Sequence, residues 1–132
     1  MSVPDYFGGS GTVDIVNVIA WIPGTATSQA VLLMAHYDTV PQSPGANDNG
    51  SGVAAMLEIA RLLAGNSYSS TLRFVAFANE EPPFFYSEEM GSRVYVARTR
   101  QRGEQIMPHG ATQKKPGGTP PGRIFPATGA AR

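Results

Sequence analysis

A chain of 132 residues with 42% hydrophobic side chains is long enough to fold as one domain around a genuine core. It has no cysteine, which excludes a disulfide framework and thiolate ligation, so any metal must take nitrogen and oxygen donors. Formal net charge is zero, yet residues 1–97 carry three basic against nine acidic side chains, and residues 98–132 carry seven against one.

The opening "MSVPDYFGGSG" lacks the basic start and apolar run of a signal peptide, and no apolar stretch is long enough to span a membrane. An exported parent whose leader lies outside this chain stays open. "VDIVNVIAWIP" (Val13 to Pro23) is rich in β-branched residues and is closed by Pro23 and Gly24, which predicts a strand and its stop. "AVLLMAH" (Ala30 to His36) is a continuous apolar run, the mark of a strand buried on both faces in a parallel sheet. "SGVAAMLEIARLLAG" then places Val53, Met56, Leu57, Ala60 and Leu63 at helical spacing, with Glu58 and Arg61 off that stripe and Gly65 as a stop. "TLRFVAFAN" (Thr71 to Asn79) predicts another interior strand, completing a strand, helix, strand unit of the right-handed crossover kind. The pattern is that of an α/β fold with a mostly parallel sheet between helices.

"EEPPFFYSEEMGSRVYVARTR" begins as a Pro and aromatic loop and predicts a helix from about Glu88, with Met90, Val94 and Ala97 on one side. Phe84, Phe85 and Tyr86 in that loop either line a pocket or pack under the loop. From Gly103 the character changes: six Gly and five Pro in 30 residues, with no periodic apolar face. We therefore expect a domain over 1–102 and a disordered or aberrant Gly/Pro-rich tail over 103–132. The tail is basic but has neither a dense Lys/Arg run nor interleaved aromatics, so neither nucleic acid nor a membrane is expected as partner.

Three groups of side chains could carry chemistry. His36 and Asp38 lie two apart at a strand end, so while extended geometry lasts they leave the same face, and Asp38 can accept the second imidazole N–H of His36. Asp48, in "GANDNGSG", either caps the following helix or faces the strand ends where His36 emerges. Glu80 and Glu81 follow the second apolar strand. Ligands of parallel α/β sheets bind beyond the carboxyl ends of the strands, where adjacent glutamates can divide metal ligation and proton transfer. Hydrolysing an amide with metal-activated water needs metals to acidify the water, a base for its proton, and positive charge at the carbonyl oxygen. Metal binding can lower the pKa of water from about 15.7 to about 7, and a glutamate base adds about 10² to 10⁴ in rate.

The stretches "AHYDTVPQSPGANDNGSGVAAMLEIARLLA", "TLRFVAFANEE" and, less strongly, "EEMGSRVY" resemble the co-catalytic dizinc aminopeptidases, a family that includes bacterial leucine aminopeptidases, over roughly Asn17 to Arg98. The resemblance implies the three-layer sandwich of the zinc exopeptidases, here incomplete, and a peptide substrate. It further implies that His36 ligates one zinc, Asp38 orients it, Asp48 bridges a pair of zinc ions, Glu80 is the general base and Glu81 ligates the second zinc. A non-proline cis peptide is implied after Asp48.

The family draws a further aspartate and histidine from later in the chain. After Glu104 this sequence has no acidic residue, and His109 sits among Gly and Pro, so neither has a counterpart. We therefore expect a fragment of a zinc-dependent metallo-aminopeptidase that binds metal weakly, turns over little by itself, and is prone to self-association through an exposed sheet edge. The competing reading is a non-catalytic, peptidase-like binding domain. Retention of a general base argues against it.

Overall fold

The computed structural model describes residues 1–4, 10–26 and 29–107. Residues 108–132, with His109 and most of the expected tail, lie outside them. A short hairpin pairs β1 (Ser2–Pro4) with β2 (Thr12–Asp14), and the main sheet contains β3 (Val18–Ile22), β4 (Gln29–His36), β5 (Thr71–Phe77) and β6 (Gln105–Met107). Its spatial order is β3-β5-β4-β6, with β3 antiparallel to β5 and the other pairs parallel. Helix α1 (Ser51–Leu63) crosses between β4 and β5, and α2 (Gly91–Gln101) follows β5.

Alternation along β5 gives each helix its own face. Leu72, Phe74 and Ala76 meet Val31, Leu33 and Ala35 of β4 and Val53, Met56, Ala60 and Leu63 of α1. Val75 and Phe77 point the other way, against Tyr95 of α2, Leu32 and Ile106. The result is a mixed α/β sandwich of three layers, as expected. Val75 is completely buried, worth about 1.5–3 kcal/mol for a side chain of its class.

Four details differ from the sequence reading. The run expected as one strand from Val13 to Pro23 is broken after Asp14, because its intervening polar groups are used elsewhere. Val16 O accepts the Tyr37 hydroxyl (2.7 Å), and the Asn17 side chain bonds Ala78 and Gly91. Leu57, expected on the inner stripe of α1, is 61% exposed, since the sheet touches only the narrower strip of Val53, Met56, Ala60 and Leu63. The second helix starts at Gly91 and buries Gly91, Tyr95 and Thr99 in place of Met90, Val94 and Ala97. The sheet also continues past residue 102, where β6 adds a parallel edge to β4.

The rotation of α2 has a cause. Gly91 N–H donates to Ala78 O (2.9 Å), the Asn17 amide donates to Gly91 O (2.9 Å), and Ala78 N–H donates to Asn17 Oδ1 (3.1 Å). A Cβ at Gly91 would sit 2.3 Å from Ala78 O and 2.4 Å from Asn17 Oδ1. Gly91→Ala is therefore expected to destabilise the fold by about 1–3 kcal/mol, the usual cost of overpacking. A lowered urea midpoint at constant slope would show it; an unchanged midpoint would contradict this packing.

Candidate metal centre

β4 and β5 run parallel and end together, His36 opposite Phe77, so residues following both strands emerge at one edge of the sheet. Tyr37 N–H still donates to Phe77 O (2.9 Å), which carries the pairing one residue beyond His36 and fixes the exit of the chain. Nδ1 of His36 lies 3.2 Å from the main-chain carbonyl of Asp38 and 3.5 Å from its Oδ1. The nearer acceptor for that ring nitrogen is thus the backbone of Asp38, with the carboxylate just beyond. Asp38 Oδ2 accepts the N–H of Glu81 (3.0 Å), so one side chain ties the two strand ends together. Its Oδ1 is buried and has no hydrogen-bond partner among the described residues.

Between β4 and α1 the chain makes a wide helical turn, Ala46–Gly50, closed by Gly50 N–H donating to Gly45 O (2.8 Å). Gly45 has φ of 65°, and a Cβ there would meet the Thr39 side chain at 2.8 Å, so glycine is required on both counts. The competing role for Asp48, capping α1, goes to its neighbour: Asn49 Oδ1 accepts Gly52 N–H (3.1 Å). Asp48 is left facing outward to the strand ends, its Oδ1 2.9 Å from His36 Nε2. The Asp48–Asn49 peptide is cis, as the resemblance implied.

The two glutamates differ sharply. Glu80 is turned to the start of α2, where its Oε1 accepts Ser92 N–H (2.6 Å) and its Oε2 accepts the Ser92 hydroxyl (2.9 Å). Burial pushes its pKa up, and the Ser92 bonds pull against that shift. Glu81 turns toward the other residues. Its pKa is also raised, by burial and then by the negative charge of Asp48.

His36, Asp48 and Glu81 each offer a ligand atom, and these atoms lie within 4.8 Å of one another. The residues fit a zinc-type cation: the donors are one imidazole and two carboxylates, and a cation among them would offset the repulsion felt by Glu81. His36 can present Nε2 to it while Nδ1–H faces Asp38, the arrangement that fixes a ligating tautomer.

Beside Asp38 and Glu81 opens a groove of about 350 Å³, lined in part by Tyr37, Pro82, Pro83 and Phe84. Of the aromatic loop, only Phe84 faces this groove. Phe85 and Tyr86 lean on one another, ring centroids 4.1 Å apart, and are largely exposed. The sequence reading gave no role to Ser92 or Asn17. A serine at the start of a helix beyond the acidic pair was the available signal for the first; Asn17 acts through contacts 74 and 61 positions away, invisible in local sequence.

The chain also matches known proteins in sequence and in fold. The family model for Peptidase family M28 matches residues 17–107. Over 82 residues the chain is 45% identical to the uncharacterized protein YfbL of Escherichia coli (56% of this chain, 25% of that protein). Over 51 residues it is 57% identical to the aminopeptidase YwaD of Bacillus subtilis (39% of this chain, 11% of that protein). The crystal structure of BSAP, a zinc aminopeptidase from Bacillus subtilis, superposes with a TM-score of 0.53 at 42% identity, covering 61% of this chain and 19% of that one. The chain thus spans a quarter or less of the length of these relatives.

Proposed function

The chain belongs to peptidase family M28, and on that premise we propose that it carries part of the catalytic centre of a zinc-dependent aminopeptidase acting on peptides. Relatives named aminopeptidase and zinc metalloprotease, and a matching structure described as a zinc aminopeptidase, support zinc as the metal and peptide hydrolysis as the chemistry. The observation that carries the reading is the convergence of ligand atoms of His36, Asp48 and Glu81 within 4.8 Å, with Asp38 behind the imidazole.

In this assignment His36, Asp48 and Glu81 would hold the metal, with Asp48 available to serve two ions. Bound zinc supplies Lewis acidity at a carbonyl oxygen and an acidified water at neutral pH. The chain's own groups do the rest. Asp38 keeps the His36 ring in the tautomer with Nε2 free and, through its bond to Glu81 N–H, fixes the spacing between the two strand ends. Glu80 takes a proton from the attacking water and passes it to the departing amine. Both its oxygens already accept bonds from Ser92, yet a carboxylate oxygen has two lone pairs, so each keeps acceptor capacity for that proton. Phe84 and the two prolines offer an apolar wall for a substrate side chain.

Calorimetric titration with Zn²⁺ tests this reading. Saturable binding that disappears in His36→Ala is the expected result, and absence of zinc binding by the wild-type chain would overturn it.

A further inference from the structure

Adjacent glutamates have the same chemistry and the same reach, so something outside them must decide which one meets the metal. We propose that Ser92 is a positioning residue that withholds Glu80 from the metal ions and thereby leaves ligation to Glu81. This rests on the metal-centre reading above and goes beyond it, because it explains how two like side chains acquire unlike roles.

Three observations carry it. Glu80 is clamped at both oxygens by one residue, through the Ser92 N–H at 2.6 Å and the Ser92 hydroxyl at 2.9 Å, whereas Glu81 shares the cluster with His36 and Asp48. The N–H is one of the first-turn donors of α2 that no helical carbonyl can satisfy, so it is free to take a carboxylate, and charge-assisted bonds of this kind are the strong ones. The clamp is itself anchored. Gly91, the preceding residue, bonds Ala78 and Asn17 once each, and Ala78 bonds Asn17 in turn, which holds the first turn of α2 against the end of β5 from which Glu80 departs. Ser92 therefore cannot follow Glu80 toward the metals; Glu80 must break the bonds to go there.

The direction of the effect separates this role from a structural one. Loss of an ordinary supporting residue loosens a site and weakens metal binding. Loss of this clamp frees an additional carboxylate ligand and strengthens it. Co²⁺ is a suitable probe, because its visible absorption reports its ligand set. With the 132-residue chain, Ser92→Ala is expected to bind Co²⁺ about tenfold more tightly, at the lower end of what the outer shell of a metal site is worth, and with an altered visible spectrum. Ser92→Pro, which removes the hydroxyl and also an N–H that has no partner within the helix, should go further. Ser92→Thr keeps both donors and should match the wild type, and adding Glu80→Gln to Ser92→Ala should restore the wild-type spectrum. Unchanged or weakened Co²⁺ binding by Ser92→Ala, with wild-type binding intact, would overturn the role of Ser92 alone. Failure of the wild-type chain to bind Co²⁺ at all would overturn the metal centre and this inference with it.

Discussion

Asp48→Ala is expected to abolish zinc binding by this chain, whereas Glu80→Gln is expected to keep it and, in a complete enzyme carrying this segment, to slow hydrolysis by about 10² to 10⁴, the usual worth of a general base. The contrast follows from where the two carboxylates point. Capping of α1 falls to Asn49, and the Asp48 carboxylate lies 2.9 Å from His36 Nε2, in the cluster. Its loss should weaken zinc binding by more than about 100-fold, since even outer-shell partners of a bound metal are worth about 10- to 100-fold. Folding should be little affected, because its side chain is 71% exposed. Glu80 is absent from the three-residue donor group and is held by Ser92 instead. Zinc titration of each variant of the 132-residue chain reads the first effect, and the rate of a complete enzyme carrying the segment on an aminoacyl p-nitroanilide reads the second. Loss of zinc in Glu80→Gln comparable with that in Asp48→Ala would exchange the roles of Glu80 and Glu81.

The site residues were legible in the sequence to the extent that strand periodicity and chain direction determined them. Two residues apart at a strand end put His36 and Asp38 on one side, and parallel strands bring the residues after β4 and β5 to the same edge. The structure adds that Asp38 meets the imidazole first through its main-chain carbonyl and uses its carboxylate also on Glu81 N–H, a contact between segments 43 positions apart. Features set by such distant contacts were not legible. The face of α2 depends on Gly91 abutting Ala78, which outweighs the small apolar preference for Met90, Val94 and Ala97. Strand β6 forms within a Gly-rich stretch of low intrinsic strand signal because β4 offers an unpaired edge there. Leu57 obeys the helical period but not the width of the sheet beneath it.

Phe77→Ala should be among the most destabilising single changes in the fold, at about 3–5 kcal/mol for truncation of a buried phenylalanine, against a total of about 5–15 kcal/mol for a domain. Phe77 is 4% exposed and meets the Tyr95 ring edge-on, with centroids 5.6 Å apart and planes at 64°. That pair is a principal contact between α2 and its face of the sheet, together with Val75, Leu32 and Ile106. Phe77 also stands opposite His36 in the strand register, so the side chain that anchors the helix carrying Ser92 sits on the backbone that aligns His36. Phe85→Ala is the natural control: its ring is 52% exposed, and surface changes of this kind usually stay within about 0.5 kcal/mol. Urea unfolding of the two variants should separate them by several kcal/mol. Equal stabilities would mean that α2 is not packed on the sheet through Tyr95, and the anchored clamp on Glu80 would lose its physical basis. A large loss confined to Phe77→Ala would show that the helix carrying Ser92 is held by the second face of the core.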